Sequence, residues 1–404
     1  MDKQILRLKN NIEYIYKKND NTPRMAFCLN FLINDAENIP GIYSLMARLL
    51  LQGTTKYSSE ELANEFEKYA IDFSVDLLPN FLRLKFVCLN EDFSKAVELL
   101  GEVVKNSTFE EFEKERIKIK GEITADLDSP RATAMDAYYK AMFGNHYYGN
   151  SMTKVLENID SITKEDVVEA YNSLLETGKK TLAVVGALEN EDILPQIEAV
   201  VGEFPPSVEG NFNIEKPVLT ENKEVINVRS DLNQAHIIKG WQVATCKEED
   251  YPVLILLNVI LGASGLSSRL FLELRDKKGL AYVVRSSYET FKLAGNFMIY
   301  IATEPKNIEI SLKGFEEEIE KIKTVLVPEK ELEDAKNNFI GKCAFLSETN
   351  IQQACTFAKY GVLDLGFDYS EEMKENVKAV TSEQVLNCAK KYFSGNSVLS
   401  IIKP

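Results

Sequence analysis

Histidine is almost missing from this chain, with two in 404 residues, His146 and His236. A helical zinc site of the His-Glu-x-x-His or His-x-x-Glu-His kind needs two imidazoles one turn apart. These two are 90 residues apart, so the chain cannot build such a site unaided. Cysteine offers no substitute. Cys28, Cys88, Cys246, Cys343, Cys355 and Cys388 are scattered, with no pair at C-x-x-C spacing. That pattern excludes a cysteine zinc site and a disulfide framework, and reads as reduced, mostly buried thiols of a cytoplasmic protein. Long apolar runs are also missing. The longest, YPVLILLNVILG at 251–262, is broken by Asn258 and too short to span a bilayer, so no membrane partner is expected. The opening MDKQILRLKNNIEYIYKK alternates charged and apolar residues, and the expectation is that it carries no secretion signal. Positive charge is in deficit too, with 47 Lys and Arg against 62 Asp and Glu and a net charge of −15. This argues against a partner with a phosphate backbone, hence no nucleic acid.

What is present is duplicated. SITKEDVVEAYNSLL (161–175) leads into the apolar TLAVVG, and 218 residues later AVTSEQVLNCAKKYF (379–393) leads into VLSII. Each pairs a threonine helix start with an amphipathic helix and a short buried strand. FLRLKFVCLNEDFSKAVELLGEVV (81–104) and NFMIYIATEPKNIEISLKGFEEEI (296–319) likewise share a strand, an acidic loop and a helix. Between the halves, GEFPPSVEGNFNIEKP (202–217) holds three prolines and reads as a linker. The expected architecture is α+β: homologous domains at 1–201 and 218–404, each a mostly antiparallel sheet with helices packed on one side, facing each other across a cavity.

Two stretches carry unusual residues. GIYSLMARLLLQGT (41–54) has apolar residues at Ile42, Leu45, Met46, Leu49 and Leu50, the spacing of a helix with one buried face, with Pro40 and Gly41 before it and Gly53 after it. Inside that run lies Arg48, which on residue statistics alone is an arginine carrying its head to water. LGASGLSSRLFLELRDKKGLAYVV (261–284) brings two helical pieces together at Gly262-Ala263-Ser264-Gly265, where small residues admit a close approach. Arg275 and Tyr282 follow, seven residues apart with Gly279 between them. They are either half-exposed side chains at a hinge or hydrogen-bond donors facing the cavity. Other motifs fail. GASGL ends in Leu266 where a nucleophile elbow needs glycine, and GKKT (178–181) precedes a strand where a phosphate loop would follow one. Both histidines read as structural.

GLSSRLFLELRDKKGLAY closely resembles the C-terminal half of the pitrilysin/insulinase-type zinc metallopeptidases, in their processing-peptidase branch. The resemblance runs along the chain through QGTTKYSSEELANEFEKYAIDFSVDL (52–77), FEKERIKIKGEI (112–123), DSPRATA (128–134) and SDLNQAHIIKGW (230–241). The family's metal helix carries His-x-x-Glu-His shortly before Gly-Thr. Counted back from Gly53-Thr54, its histidine positions are Ser44 and Arg48 here and its catalytic glutamate position is Ala47. The third ligand position is Glu122, with Glu115 seven residues before it. The resemblance therefore implies a degenerate metal site holding no zinc, in which Arg48 pairs with a half-buried Glu122 in place of the metal. It further implies the non-catalytic subunit of a heteromeric peptidase. Arg275 and Tyr282 would stabilise the oxyanion, with Gly262, Gly265, Ser267 and Ser268 lining the substrate. Zinc would come from a homologous partner subunit, and the substrate would be an unfolded peptide paired to an edge strand near Ile71 to Leu77. The alternative is a catalytically inactive, peptide-holding or structural protein with no peptidase partner.

Overall fold

The computed structural model describes residues 3–34, 39–208 and 214–404. In the first half of the chain the strands are β1 (Lys3–Arg7), β2 (Glu13–Lys18), β3 (Arg24–Leu32), β4 (Asp72–Leu78), β5 (Phe81–Leu89) and β6 (Lys180–Gly186). In the second half they are β7 (Lys223–Val228), β8 (Ala235–Val243), β9 (Ala281–Thr290), β10 (Gly295–Thr303) and β11 (Ser397–Lys403). They form two sheets, ordered β1-β2-β6-β3-β5-β4 and β7-β11-β8-β10-β9. Without β1 the two orders are the same element for element. In each, one pair is parallel, β2 with β6 and β7 with β11, and the rest are antiparallel. The duplication read from the sequence is thus a duplicated topology. Its marker helices start alike, since Thr163 and Thr381 each close a capping box. The reciprocal partners, three residues on, are Asp166 and Gln384.

The central strands are buried on both faces. Eight of the nine residues of β3 and all nine of β10 are buried. In the first sheet one face packs through aromatics: Phe27 stacks on Phe86 at 4.7 Å, and Phe86 meets Phe93 of the Phe93–Asn106 helix. The opposite face presents Ile15, Ala26, Cys28, Ala183 and Val185, small enough for close helix approach, to Ala354, Phe357 and Ala358 of the Asn350–Val362 helix. The second sheet repeats this layering. Ile238, Met298, Val398 and Ile402 meet Ala134, Tyr138 and Met142 of the Pro130–Phe143 helix. Each sheet therefore has helices of its own half on one side and a single helix from the other half on the second side.

That exchange redraws the domain boundaries. The compact units are residues 1–121, 155–214 and 344–369 in one, and 122–154, 215–343 and 370–404 in the other. They are not the contiguous halves 1–201 and 218–404. Periodicity identifies an amphipathic helix but not the sheet that receives it, and that is why the sequence reading missed the exchange. The expected linker, 202–217, is also revised. Residues 209–213 lie outside the described residues, but its first part packs on the first unit. Phe204 is buried, Asn10 donates to Val201 and Phe204 carbonyls, and Ser207 bridges to Lys180 and Asn10.

Candidate functional site

The degenerate metal position lies in the first unit. The Ile42–Leu49 helix starts after Gly41, whose φ of 106° suits glycine, and buries Ile42, Leu45, Met46, Ala47 and Leu49. Ala47 is thus buried where the family carries its catalytic glutamate, and Ser44 is half-buried beside it. Arg48 extends from the same helix until its Nη1 lies 3.8 Å from Glu115 Oε2. Glu115 is 3% exposed and also accepts a hydrogen bond from Lys118. Glu122, two turns farther along the Phe112–Leu127 helix, is exposed. Glu115 is thus a buried carboxylate that needs compensating charge, and Arg48 lies beside it. Among the described residues no group of three or more His, Cys, Asp or Glu is placed to hold a metal ion.

The two histidines serve packing in the second unit. His146 Nδ1 accepts from the Tyr148 backbone N–H, and His236 Nδ1 meets the Tyr300 hydroxyl at 2.8 Å. Burial lowers both pKa values, for His236 with help from Arg131.

The second unit holds the Arg/Tyr stretch. Gly262 closes a π-helical segment, Val259–Ala263, against β9, where a Cβ would lie 2.1 Å from the Ser286 nitrogen, so no side chain fits. Gly265 turns the chain with φ +81° into open space. Ser268 is buried and donates to the Gly265 carbonyl, which tightens the loop, while Ser267 stays exposed. Arg269 anchors the segment through a two-pronged pair with Glu331, at 2.8 and 2.7 Å, and Lys342 caps the Ala263 carbonyl. A second π-helical segment, Phe271–Lys277, then presents Arg275. Its guanidinium lies over the rings of Phe271 and Tyr282, with centroids 4.6 and 4.8 Å away. Arg275 and Tyr282, separated in sequence by the Gly279 turn, are thus neighbours. A guanidinium held over aromatic rings can still donate hydrogen bonds from its N–H groups.

Tyr282 owes its position to a β-bulge. Ala302 pairs with Val283 and Thr303 with Ala281, so Tyr282 is the extra residue of the edge strand β9 and is 79% exposed. A bulge at an edge re-aims a side chain. The sequence analysis missed this bulge, both π-segments and the Arg269–Glu331 anchor; the only local signal was the density of glycine and charge in 262–279. In the first unit the equivalent edge strand is β4.

Fold and site together define a two-domain peptidase scaffold without its metal signature. A family model described as "Insulinase (Peptidase family M16)" matches residues 32–155, and one described as "Peptidase M16 inactive domain" matches 161–339. Together these span well over half of the sequence, and the chain belongs to the M16 family. It is 26% identical over 374 residues to an uncharacterized zinc protease of Rickettsia felis, covering 90% of this chain and 88% of that one. It is also 26% identical over 392 residues to a probable inactive metalloprotease of Bacillus subtilis, covering 92% and 87%. The crystal structure of a peptidase M16 inactive domain from Pseudomonas fluorescens superposes with a TM-score of 0.89 at 21% identity, covering 100% of this chain and 98% of that one. Among the described residues no helix is long and apolar enough to cross a membrane.

Proposed function

We propose that this chain is the non-catalytic subunit of a heteromeric zinc metallopeptidase, binding an unfolded peptide and stabilising the oxyanion at a zinc site supplied by a homologous partner. The observation that carries this reading is the contrast between the two sites. At the metal helix, Ser44, Ala47 and Arg48 leave nothing to hold or use zinc, and Arg48 faces a buried carboxylate. At the Arg/Tyr site the parts remain built. Two π-segments, an anchored glycine loop and a bulge bring two hydrogen-bond donors side by side. A scaffold with no use for these donors has no reason to expose a tyrosine by 79% on a bulged edge beside an arginine. Tyrosine hydroxyl and guanidinium are the donor types that bind a peptide carbonyl and follow it as charge develops on its oxygen.

The test is reconstitution. The purified chain alone is expected to hold no stoichiometric zinc and to cleave no peptide. Mixed with a zinc-bearing homologue from the same organism, it should form a complex with peptidase activity that neither chain has alone. One tightly held zinc per chain by elemental analysis, or activity of the homologue indifferent to this chain, would contradict the proposal.

A further inference from the structure

Of the six cysteines, two meet in a setting that their sequence positions, 28 and 355, do not reveal. Cys28 lies on β3 in the buried cluster beneath the Asn350–Val362 helix, and Cys355 of that helix packs against the same cluster. The Cys28 thiol donates to Asn30 Oδ1 at 3.7 Å, and Cys355 packs against the cluster that holds Cys28 closely enough for the two thiols to perturb each other. The strand register places two cations beside them. Lys85 of β5 is directly opposite Cys28, and Arg83 is opposite Asn30, two residues along the same face. Asp76 of β4 pairs with Lys85 at 2.7 Å and is the anion of the group. Cys28 is fully buried, whereas Cys355 is half-buried, so a small reagent meets Cys355 first.

We propose that Cys355 and Cys28 are the reacting and resolving thiols of a peroxide-responsive disulfide site that ties the Asn350–Val362 helix to the sheet beneath it. The Cys355 thiolate attacks one oxygen of a hydroperoxide. The S–O bond forms as the O–O bond breaks, and with hydrogen peroxide water leaves after protonation. The Cys28 sulfur then attacks the sulfenic sulfur. The S–S bond forms, hydroxide departs, and the Cys28 proton converts it to a second water. Two thiols have lost two electrons to one peroxide, and a dithiol reductant reverses the change. The surroundings support the division of labour. The interaction with the neighbouring Cys28 thiol, with Arg83 and Lys85, lowers the Cys355 pKa to about 7 against the opposing effects of burial and Asp76. Burial, by contrast, pushes Cys88 up to about 12 and raises Cys388 and Cys343 as well, which leaves those thiols protonated.

The experiment treats the full chain with hydrogen peroxide at neutral pH, blocks free thiols with N-ethylmaleimide, and maps a non-reducing digest by mass spectrometry. The expected result is one linked peptide joining Cys28 to Cys355, with the loss of two hydrogens, and its disappearance on adding dithiothreitol. Cys28→Ala should halt at a Cys355 sulfenic acid that dimedone captures. Cys355→Ala should slow oxidation of the chain by about tenfold or more. In the unmodified chain, alkylation of Cys355 should be half-maximal near pH 7. No Cys28–Cys355 peptide in the wild-type digest overturns the proposal whether or not the variants fold. Equal oxidation rates for wild type and Cys355→Ala overturn it as well.

Discussion

Arg48 stands at the position that the resemblance assigns to an imidazole, and it lies beside a buried carboxylate. Glu115 is buried with a 4% exposed side chain, and a carboxylate so placed is costly unless cations answer it. Arg48 at 3.8 Å and Lys118 on the same helix do so. Because Arg48 is 35% exposed, the pair is partly screened, and Arg48→Ala should cost about 1–2 kcal/mol rather than the larger loss of a fully buried pair. Arg48→Ala with Glu115→Gln should recover part of that loss in a denaturant double-mutant cycle, whereas strict additivity would show no coupling. At this scale the sequence was informative up to the last turn of a helix. It gave the loss of the ligands, the burial of the arginine's neighbours and the need for a carboxylate. It did not single out Glu115 as a buried carboxylate, because Glu115 and Glu122 are two turns apart on nearly the same face. Only packing separates them, burying one and exposing the other.

At the scale of elements, the helices and strands follow from periodicity and capping, while their irregularities do not. Nothing in AYVVRSS or FMIYIAT marks a bulge, since Tyr282 becomes the extra residue only through the register between β9 and β10. The contact between the Pro130–Phe143 helix and the second sheet shows how tightly such pairings are set. Tyr138 is fully buried and donates to Asn296 Oδ1 at 2.6 Å. It fits because β8 has a glycine beneath it, and a Cβ on Gly240 would lie 1.9 Å from the Tyr138 hydroxyl and 2.7 Å from the Phe297 carbonyl. Gly240→Ala is therefore expected to destabilise the chain by about 2–4 kcal/mol, as overpacking against backbone leaves nowhere to yield. An unchanged urea midpoint would show that the helix slides freely on the sheet.

At the scale of the whole chain, the exchanged helices make each unit depend on both halves of the sequence. Residues 1–208 alone lack the Asn350–Val362 helix and leave Ile15, Ala26, Cys28, Ala183 and Val185 uncovered. Residues 214–404 alone lack the Pro130–Phe143 helix and uncover Ile238, Met298 and Val398. Expressed separately, the halves should aggregate or bind a hydrophobic dye. Expressed together, they should recover a cooperative unfolding transition, and two independently folded halves would contradict the exchange. The same dependence explains why a contiguous boundary looked natural from sequence, since the repeat is contiguous but the packing is not.

The central claim is that Arg275 and Tyr282 act on a substrate held at a partner's zinc. The most direct measurement is single-turnover peptide cleavage by the reconstituted complex carrying Tyr282→Phe, with Arg275→Ala beside it. Tyr282→Phe keeps the ring that Arg275 lies over and removes only the hydroxyl. Turnover should therefore fall about 10²-fold or more, with peptide binding nearly unchanged. Arg275→Ala should weaken both binding and turnover, because its donors meet the carbonyl before and during the reaction. An active complex in which both variants keep wild-type turnover would contradict the account and leave this chain a scaffold whose Arg/Tyr pair does no chemistry.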